Sequence, residues 1–490
     1  MILKNNTSSQ LLGGGCVNLG NLVRINNSTS VSNTILDYFL LPTTISDELL
    51  NINLFYSNES FKIEIVNGAI NISGKNDKEL LLGIANLISL SANNLIPNQV
   101  IKDIPKTQYR EFMIDIARNL ISLNEIKKII DEMFFNRINY LHLHFSDDQN
   151  YAIESKVHPE LNTKAYLKQT EIEELIRYAK ERGIEIIPEF DMPGHLNHLL
   201  ETKPELRCNP NQGNSLCFAK DHTYLFELID EICSVFPCKY FHIGGDELGV
   251  KNQCNCPDCQ LMMRAKHYQH PIELAADFIN TVALYLQSKG KTVITWNDAL
   301  RYGRINEDVI IQKWFNYPKD RTCLEEYING RKVIIASTTD TYFDYPYSLI
   351  PLRKIYNYHP EINGHIISNP FGQSAHLWTE VYKTNEEIER AIFPRLQAFG
   401  ENAWLNPKRL NYAEFFERIK IELENLKSRG ITYTELSEID RFNFNEIVKF
   451  LNQKMKNENY TDFSTITLLK MMSEFWFDRR YKEILTRKKN

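Results

Sequence analysis

Lys239-Tyr-Phe-His-Ile-Gly-Gly-Asp-Glu-Leu248 sets two carboxylates, Asp246 and Glu247, directly behind a short apolar strand. Consecutive side chains on a regular strand point to opposite faces. Both carboxylates therefore serve one pocket only if the backbone bends after the strand, which Gly244-Gly245 permits. A lone Gly-Gly-Asp-Glu is ordinarily a solvated acidic turn. Its neighbours argue otherwise, because the pattern of an apolar strand with a polar end recurs along the chain.

From Tyr109 onward apolar strands alternate with amphipathic helices, the signature of βα units and a parallel sheet. The strands are expected over residues 110–116, 140–145, 184–190, 240–243, 292–296, 309–314, 333–337 and 374–377. Helices are expected over 124–135, 170–182 and 223–235, with another opening at Pro271, a residue suited to a first helical turn. Eight such units over roughly 300 residues predict a (β/α)8 TIM barrel, a fold that carries its chemistry at the carboxyl ends of its strands. Those ends read Asp115-Ile-Ala-Arg118, Ser146-Asp147-Asp148-Gln149, Asp191-Met-Pro-Gly-His195 and Gly-Gly-Asp246-Glu247. The later four end in Trp296-Asn-Asp298, Trp314, Tyr342-Phe-Asp344 and Trp378-Thr-Glu380.

Ionisable groups and tryptophans gathered at one end of a barrel suit a sugar. A pyranose offers apolar C–H faces to Trp rings and a rim of hydroxyls to Arg, Asp and Glu. Trp296, Trp314 and Trp378 are read as binding residues, Trp404 and Trp476 as core.

The 490 residues are enough for a large core and more than one folded unit, and 11% aromatic residues with 20 glycines suit a globular enzyme. A formal charge of -6 with no basic stripe beyond the terminal Arg-Lys-Lys argues against a nucleic-acid partner. The first residues lack a basic stretch followed by an apolar one, and no apolar run approaches the ~18 to 20 residues of a membrane span. The expectation is a cytoplasmic protein with no membrane partner.

Residues 1–105 read as a small non-catalytic α/β domain: a hairpin over 61–73 turning at Asn67-Gly68, then a helix capped by Asp77. The catalytic barrel is expected over 106–410. A helical extension over 411–490, with helices over 412–428, 435–455 and 463–484, either packs on the barrel or forms a homodimer interface.

Four motifs, Tyr109-Arg-Glu-Phe-Met-Ile-Asp-Ile-Ala-Arg118, Asn139 to Gln149, Ile187-Pro-Glu-Phe-Asp-Met-Pro-Gly-His195 and His242-Ile-Gly-Gly-Asp-Glu247, resemble in order the signatures of family 20 glycoside hydrolases, the β-N-acetylhexosaminidases. The resemblance covers about residues 105 to 405. It implies an exo-acting enzyme that removes terminal non-reducing β-linked GlcNAc or GalNAc from oligosaccharides, without cofactor or catalytic metal. By that resemblance Glu247 is the general acid/base, Asp246 orients the substrate's 2-acetamido group, and Tyr342 bonds its carbonyl oxygen. Asp147 and His195 form a relay to Glu247. Arg118, Asp344 and Glu380 hold hydroxyls, and Trp296, Trp314 and Trp378 wall the pocket. Glu247 needs a raised pKa to act as an acid, and Asp246 beside it is expected to push that way. The alternatives are a lacto-N-biosidase-like release of a disaccharide and a sugar-binding barrel without catalysis. The chain departs from the family pattern at Arg110-Glu111, where Arg-Gly is common, and at Trp296-Asn297-Asp298, where Trp-Asp-Glu is common.

His242, inside a strand, reads equally as a buried, satisfied histidine. His142 and His144 share one strand face and are read as packing residues. Among the nine cysteines, Cys254-Asn-Cys256-Pro-Asp-Cys259 has metal-like spacing, and Cys208, Cys217 or His267 could complete a structural zinc site. Reduced or locally paired thiols are the preferred reading.

Overall fold

The computed structural model describes residues 9–18, 22–33, 35, 49–66, 68–90, 95–211, 215–317 and 320–457. Strands β1 (Ser9–Asn18), β2 (Leu22–Asn27), β3 (Leu49–Tyr56), β4 (Lys62–Val66), β5 (Ala69–Gly74) and β6 (Leu95–Lys102) form one sheet in the order β1-β6-β4-β5-β3-β2. The alternation in β4 and β5 drives Ile63, Ile65, Ile70 and Ile72 wholly inside, and Gly68 at φ +76° supplies the left-handed turn residue between them. Helix Asp77–Leu90 covers that face with Leu80, Ile84 and Leu87. Its cap lies one residue before the expected Asp77: the Asn76 side chain accepts from the Glu79 N–H, while Asp77 accepts from Tyr56 and Ser30.

The eight expected strands are present, and they close. Strands β7 (Tyr109–Asp115), β8 (Tyr140–His144), β9 (Glu185–Glu189), β10 (Tyr240–His242), β11 (Thr292–Trp296), β12 (Ile310–Lys313) and β13 (Val333–Ile335) run parallel in sequence order. A small hairpin, β14 (Glu361–Ile362) and β15 (His365–Ile366), precedes β16 (Gly372–Leu377), which pairs with β13 on one side and β7 on the other. Helices Leu123–Phe135, Gln169–Glu181, Thr223–Val235 and Ile272–Ser288 lie between strands, each with a buried apolar stripe.

The barrel interior is layered. At the amino-terminal end Tyr109, Ile187, Ile294, Ile310 and Ile334 form an apolar plug, with Tyr109 stacked on Tyr140 at 4.3 Å. Above it the fill turns polar. Glu111 accepts from Tyr109, Ser374 Oγ (2.6 Å) and Gln312 Nε2 (2.7 Å), and its Oε1 lies 3.3 Å from His142 Nδ1. Burial disfavours the charge on Glu111, yet these partners hold its pKa down to about 2. His142 likewise is raised to about 9 against burial by Glu189 and Glu111. His142 and His144 thus each lie against buried carboxylates inside the barrel, beyond the packing role expected for them.

Trp404 is fully buried, as expected, and ties the ends of the barrel segment together. Its indole donates to Asp103 Oδ2 (2.7 Å), and Arg137 and Arg110 lie over the ring at 4.2 and 5.0 Å. Helix Tyr412–Ser428 packs on the barrel through Phe415 stacked on Tyr356 (4.4 Å) and Arg418 paired with Glu401. The next helix runs Phe444–Asn457, later than the expected start at 435, and sets Phe450 against Tyr345 at 5.4 Å. The helix expected over 463–484, and Trp476 within it, lie outside the described residues. Among those described, no helix is long and apolar enough to cross a membrane.

Candidate active site

The bend after β10 is built from two positions that only glycine fits. Gly244 and Gly245 have φ of +67° and +99°; a Cβ on the first would sit 1.7 Å from Asp191 Oδ1, and on the second 2.6 Å from Thr295 Oγ1. The space is used for bonding. The Gly245 N–H donates to Asp191 Oδ1 (3.2 Å), and Thr295 Oγ1 donates to the Gly244 carbonyl (2.6 Å). Glu247 itself takes φ +48°, a conformation that a non-glycine residue keeps only when its surroundings impose it. The restraints are visible: Glu247 N–H donates to Asp298 Oδ1 (3.3 Å), and Leu248 N–H to Tyr302 Oη (3.1 Å).

The pair is consequently unequal. Asp246 is buried, and its Oδ1 has no hydrogen-bond partner among the described residues. Glu247 has a side chain 49% exposed at the mouth. Burial pushes the Asp246 carboxyl up to about 8, against the pull of His195, with Asp298 and Glu247 adding to the rise.

His195 serves both. Its Nε2 is 3.8 Å from Glu247 Oε2 and 3.9 Å from Asp246 Oδ2, and its Nδ1 is 3.3 Å from Asp147 Oδ1. Burial opposes the imidazolium, but Asp147, Asp246 and Asp191 hold its pKa well above the ordinary histidine value. Asp147 does more than face His195: its Oδ2 also accepts from His144 Nε2 (2.9 Å) and pairs with Arg118 Nη2 (2.7 Å). Burial would raise its pKa, and these cations hold it well below the carboxylate range. His144 Nδ1 donates to Glu189 Oε2 (2.6 Å), and Glu189 pairs with His142 Nε2 (2.9 Å). An ionic chain therefore runs from Glu111 in the barrel centre to His195 at the mouth. The substitution at Arg110-Glu111 joins the site at its far end.

Arg118 links this chain to the other side of the mouth. Its guanidinium lies 4.8 Å from the centre of the Trp378 ring, and its Nε is 3.9 Å from Glu380 Oε1. Tyr342 forms a bridge to His376 of β16 and stacks on Trp314 (6.4 Å), with Trp378 6.5 Å away. Asp344 is buried close behind and raises the Tyr342 pKa, second to burial itself. Trp314 and Trp378 are half-buried. Trp296 lies one layer deeper, 1% exposed, its indole bonded to Glu189 Oε1 (2.9 Å) and its ring 6.3 Å from Trp378. From there it supports the wall from beneath. His242 is buried; its Nδ1 accepts from the Gly244 N–H (3.0 Å), while its Nε2 has no hydrogen-bond partner among the described residues, so it is only half satisfied.

Three residues outside the expected catalytic and binding set hold the others in place. Asp298 accepts from the Glu247 N–H, from Trp314 Nε1 (2.7 Å) and from Tyr317 Oη. Asn297 Oδ1 accepts from the Trp314 N–H (2.9 Å) and its Nδ2 donates to the Phe315 carbonyl (3.1 Å), so this departure from Trp-Asp-Glu ties the end of β11 to that of β12. Asp191 receives the Gly245 N–H. All three lie at strand ends, the signal that found the rest. Asp147, Asp191 and His195 also stand within 4.8 Å of one another, a spacing open to a metal ion, though Arg118 and His144 already engage Asp147.

Residues 108–407 match the family model described as glycosyl hydrolase family 20, catalytic domain. The chain is 28% identical to a beta-hexosaminidase of Porphyromonas gingivalis over 76% of its own length and 54% of that protein's. It is also 28% identical to a beta-hexosaminidase of Vibrio furnissii, over 63% of this chain and 58% of that one, so it spans little more than half the length of these relatives. A solved beta-N-acetylhexosaminidase of Bacteroides fragilis superposes with a TM-score of 0.78 at 25% identity, over 89% of this chain and 97% of that one.

Proposed function

This chain belongs to glycosyl hydrolase family 20, and from that premise we propose that it is an exo-β-N-acetylhexosaminidase. Its substrates are oligosaccharides ending in β-linked GlcNAc or GalNAc, and it retains configuration through the substrate's own 2-acetamido group. The observation that carries the reading is the unequal carboxyl pair. Asp246 is buried with an acceptor oxygen that has no partner among the described residues, and Glu247 stands exposed beside it, one residue on.

In this mechanism the acetamido oxygen attacks C1 while Glu247 gives its proton to the leaving oxygen, forming a cyclic oxazolinium ion. Water, deprotonated by Glu247, then opens the ion. Asp246 Oδ1 accepts the acetamido N–H, and the positive charge growing on that nitrogen favours the ionised carboxylate, drawing down the pKa that burial raises. Tyr342 Oη donates to the acetamido oxygen and aims it. His195, cationic between the two carboxyls and held by Asp147, is a positioning residue that steadies Glu247 as it loses its proton. Arg118, Asp344 and Glu380 take hydroxyls, and Trp378 and Trp314 pack on the ring and the acetamido methyl, with Trp296 behind them.

The test compares chromogenic β-glycosides of GlcNAc, GalNAc, glucose and a GlcNAc-terminated disaccharide. Turnover of the first two and none of the glucoside is expected, since glucose carries no C2 nucleophile. Fast β-glucoside turnover, or a covalent sugar ester trapped on either carboxylate, overturns the mechanism. Exclusive disaccharide release selects the lacto-N-biosidase reading. Glu247→Gln should lose about 10²–10⁴-fold on alkyl glycosides and far less on an activated aryl glycoside, whose phenol leaves without a proton.

A further inference from the structure

Four cysteine sulfurs meet beside the barrel mouth, and two of them come from a segment that the sequence spacing alone does not single out. Cys217 Sγ is 3.7 Å from Cys256 and 3.6 Å from Cys259, and Cys208 Sγ is 3.9 Å from Cys259. All four lie within 4.8 Å of one another, three of them fully buried. Cys254, first of the three in the local motif, is exposed and outside the group, as is His267 at the end of helix Pro257–Lys266.

The geometry points to a structural zinc ion held by the thiolates of Cys208, Cys217, Cys256 and Cys259, in place of the metal-free thiols expected from the sequence. Sulfurs at a zinc–thiolate bond length of about 2.3 Å on a tetrahedron stand about 3.8 Å apart, which the Cys208–Cys259, Cys217–Cys256 and Cys217–Cys259 pairs match. A disulfide would bring two of them to about 2.0 Å.

The backbone around them is built to the same end. Cys208 and Cys217 leave a short antiparallel bridge between Arg207 and Leu216, fixed by Cys208 N–H to Ser215 O (3.0 Å) and Cys217 N–H to Leu206 O (2.9 Å). Cys256 caps helix Pro257–Lys266 and Cys259 sits in its first turn, where the free N–H groups and helix dipole favour negative sulfur. Around the cluster, buried Gln253 donates to Leu216 O (3.0 Å) and Asn252 to Ser215 Oγ (2.9 Å). The ion therefore clamps the insertion that begins directly after Glu247 onto the segment that follows β9. Its role is to hold the chain leaving the carboxylate pair, and it stands whether or not the protein cleaves sugars.

Zinc content of the full chain, purified without chelator or metal-affinity resin, tests this. About one zinc per chain is expected, with nine alkylatable thiols after denaturation in chelator. Cobalt added to the stripped protein should give a thiolate-to-metal charge-transfer band and the visible bands of a tetrahedral ion. Cys256→Ser should lose the zinc, and Cys254→Ser should keep it. If Cys256→Ser does not fold, the content and cobalt spectrum of the wild type still decide. Zinc below about 0.1 per chain, disulfides among these four residues, iron in its place, or equal zinc loss in Cys254→Ser would each overturn the assignment.

Discussion

The backbone N–H of Glu247 points at Asp298 Oδ1 from 3.3 Å, and the same carboxylate takes the Trp314 indole on Oδ2 at 2.7 Å. One buried group just beyond β11 thus positions both the proposed acid and one aromatic wall of the pocket. Asp298→Asn keeps the size but turns one acceptor into a donor facing a donor. We expect kcat on an alkyl β-GlcNAc glycoside to fall about 10- to 100-fold. KM should change less, about threefold, because Arg118 after β7 and Trp378 and Glu380 after β16 are untouched. Unchanged kcat would show that the strained Glu247 backbone holds without this bond.

Asp246 sets a pH dependence of stability. Its folded pKa, about 8, lies above the ~3.9 of an unfolded aspartate. Below about pH 4 both states hold the proton and the group contributes nothing; from there to about pH 8 only the unfolded state releases it, so stability falls as pH rises, then levels off. Asp246→Asn should therefore match wild type near pH 4 and melt about 2–4 °C higher near pH 8, while losing most activity. Identical melting shifts at both pH values would contradict the proton held on Asp246.

Glu111 works in the opposite sense. Its folded pKa of about 2 is depressed, so its stabilisation is present above the unfolded glutamate value of ~4.3 and is lost as pH falls toward 2. Glu111→Ala strands His142, Gln312 and Ser374 around a vacated charge, and should cost about 3–5 kcal/mol near pH 7. Denaturant unfolding at pH 7 and pH 3 should show that gap narrowing in acid. A neutral substitution would mean that the polar layer repacks as an apolar one does.

Trp378 carries Arg118 on one face, 4.8 Å from the ring centre, and borders Tyr342 and Trp296. Trp378→Ala should weaken a monosaccharide inhibitor by about tenfold or more, by removing a stacking face and freeing the guanidinium. Titration calorimetry reads this directly, and an unchanged Kd would move the sugar floor elsewhere.

The barrel is legible in the sequence because strands buried on both faces appear as apolar runs, and because its chemistry collects where those runs stop. Arg118, Asp147, His195, Asp246, Glu247, Tyr342, Trp378 and Glu380 all sit at such stops, and the fold brings them to one mouth. What stays hidden depends on partners distant in the chain. Glu111 reads as a stray charge in a strand until His142, Gln312 and Ser374 surround it. Cys254 has the better local spacing, yet Cys217 has the contact. Asp298 is visible as a strand-end carboxylate, but that it holds Glu247 by the backbone follows only from the turn at Gly244-Gly245. Asn76 takes the cap from Asp77 by the position of one side chain.

The pairing of β7 with β16 has a consequence for how the protein is made. Glu111 and Ser374 face each other across that seam, 263 residues apart, and Gln312 also arrives long after Glu111. When Asp246 and Glu247 have emerged from the ribosome, only four of the eight barrel strands, β7 to β10, are free to pair, with two bare edges and a glutamate lacking most of its final neighbours. The tryptophans, Tyr342 and Glu380 have yet to be translated. A chain that ends before residue 377 therefore leaves β7 and β13 as open strand edges, and pairing of β16 closes both edges just before Trp378 and Glu380 take their places at the mouth.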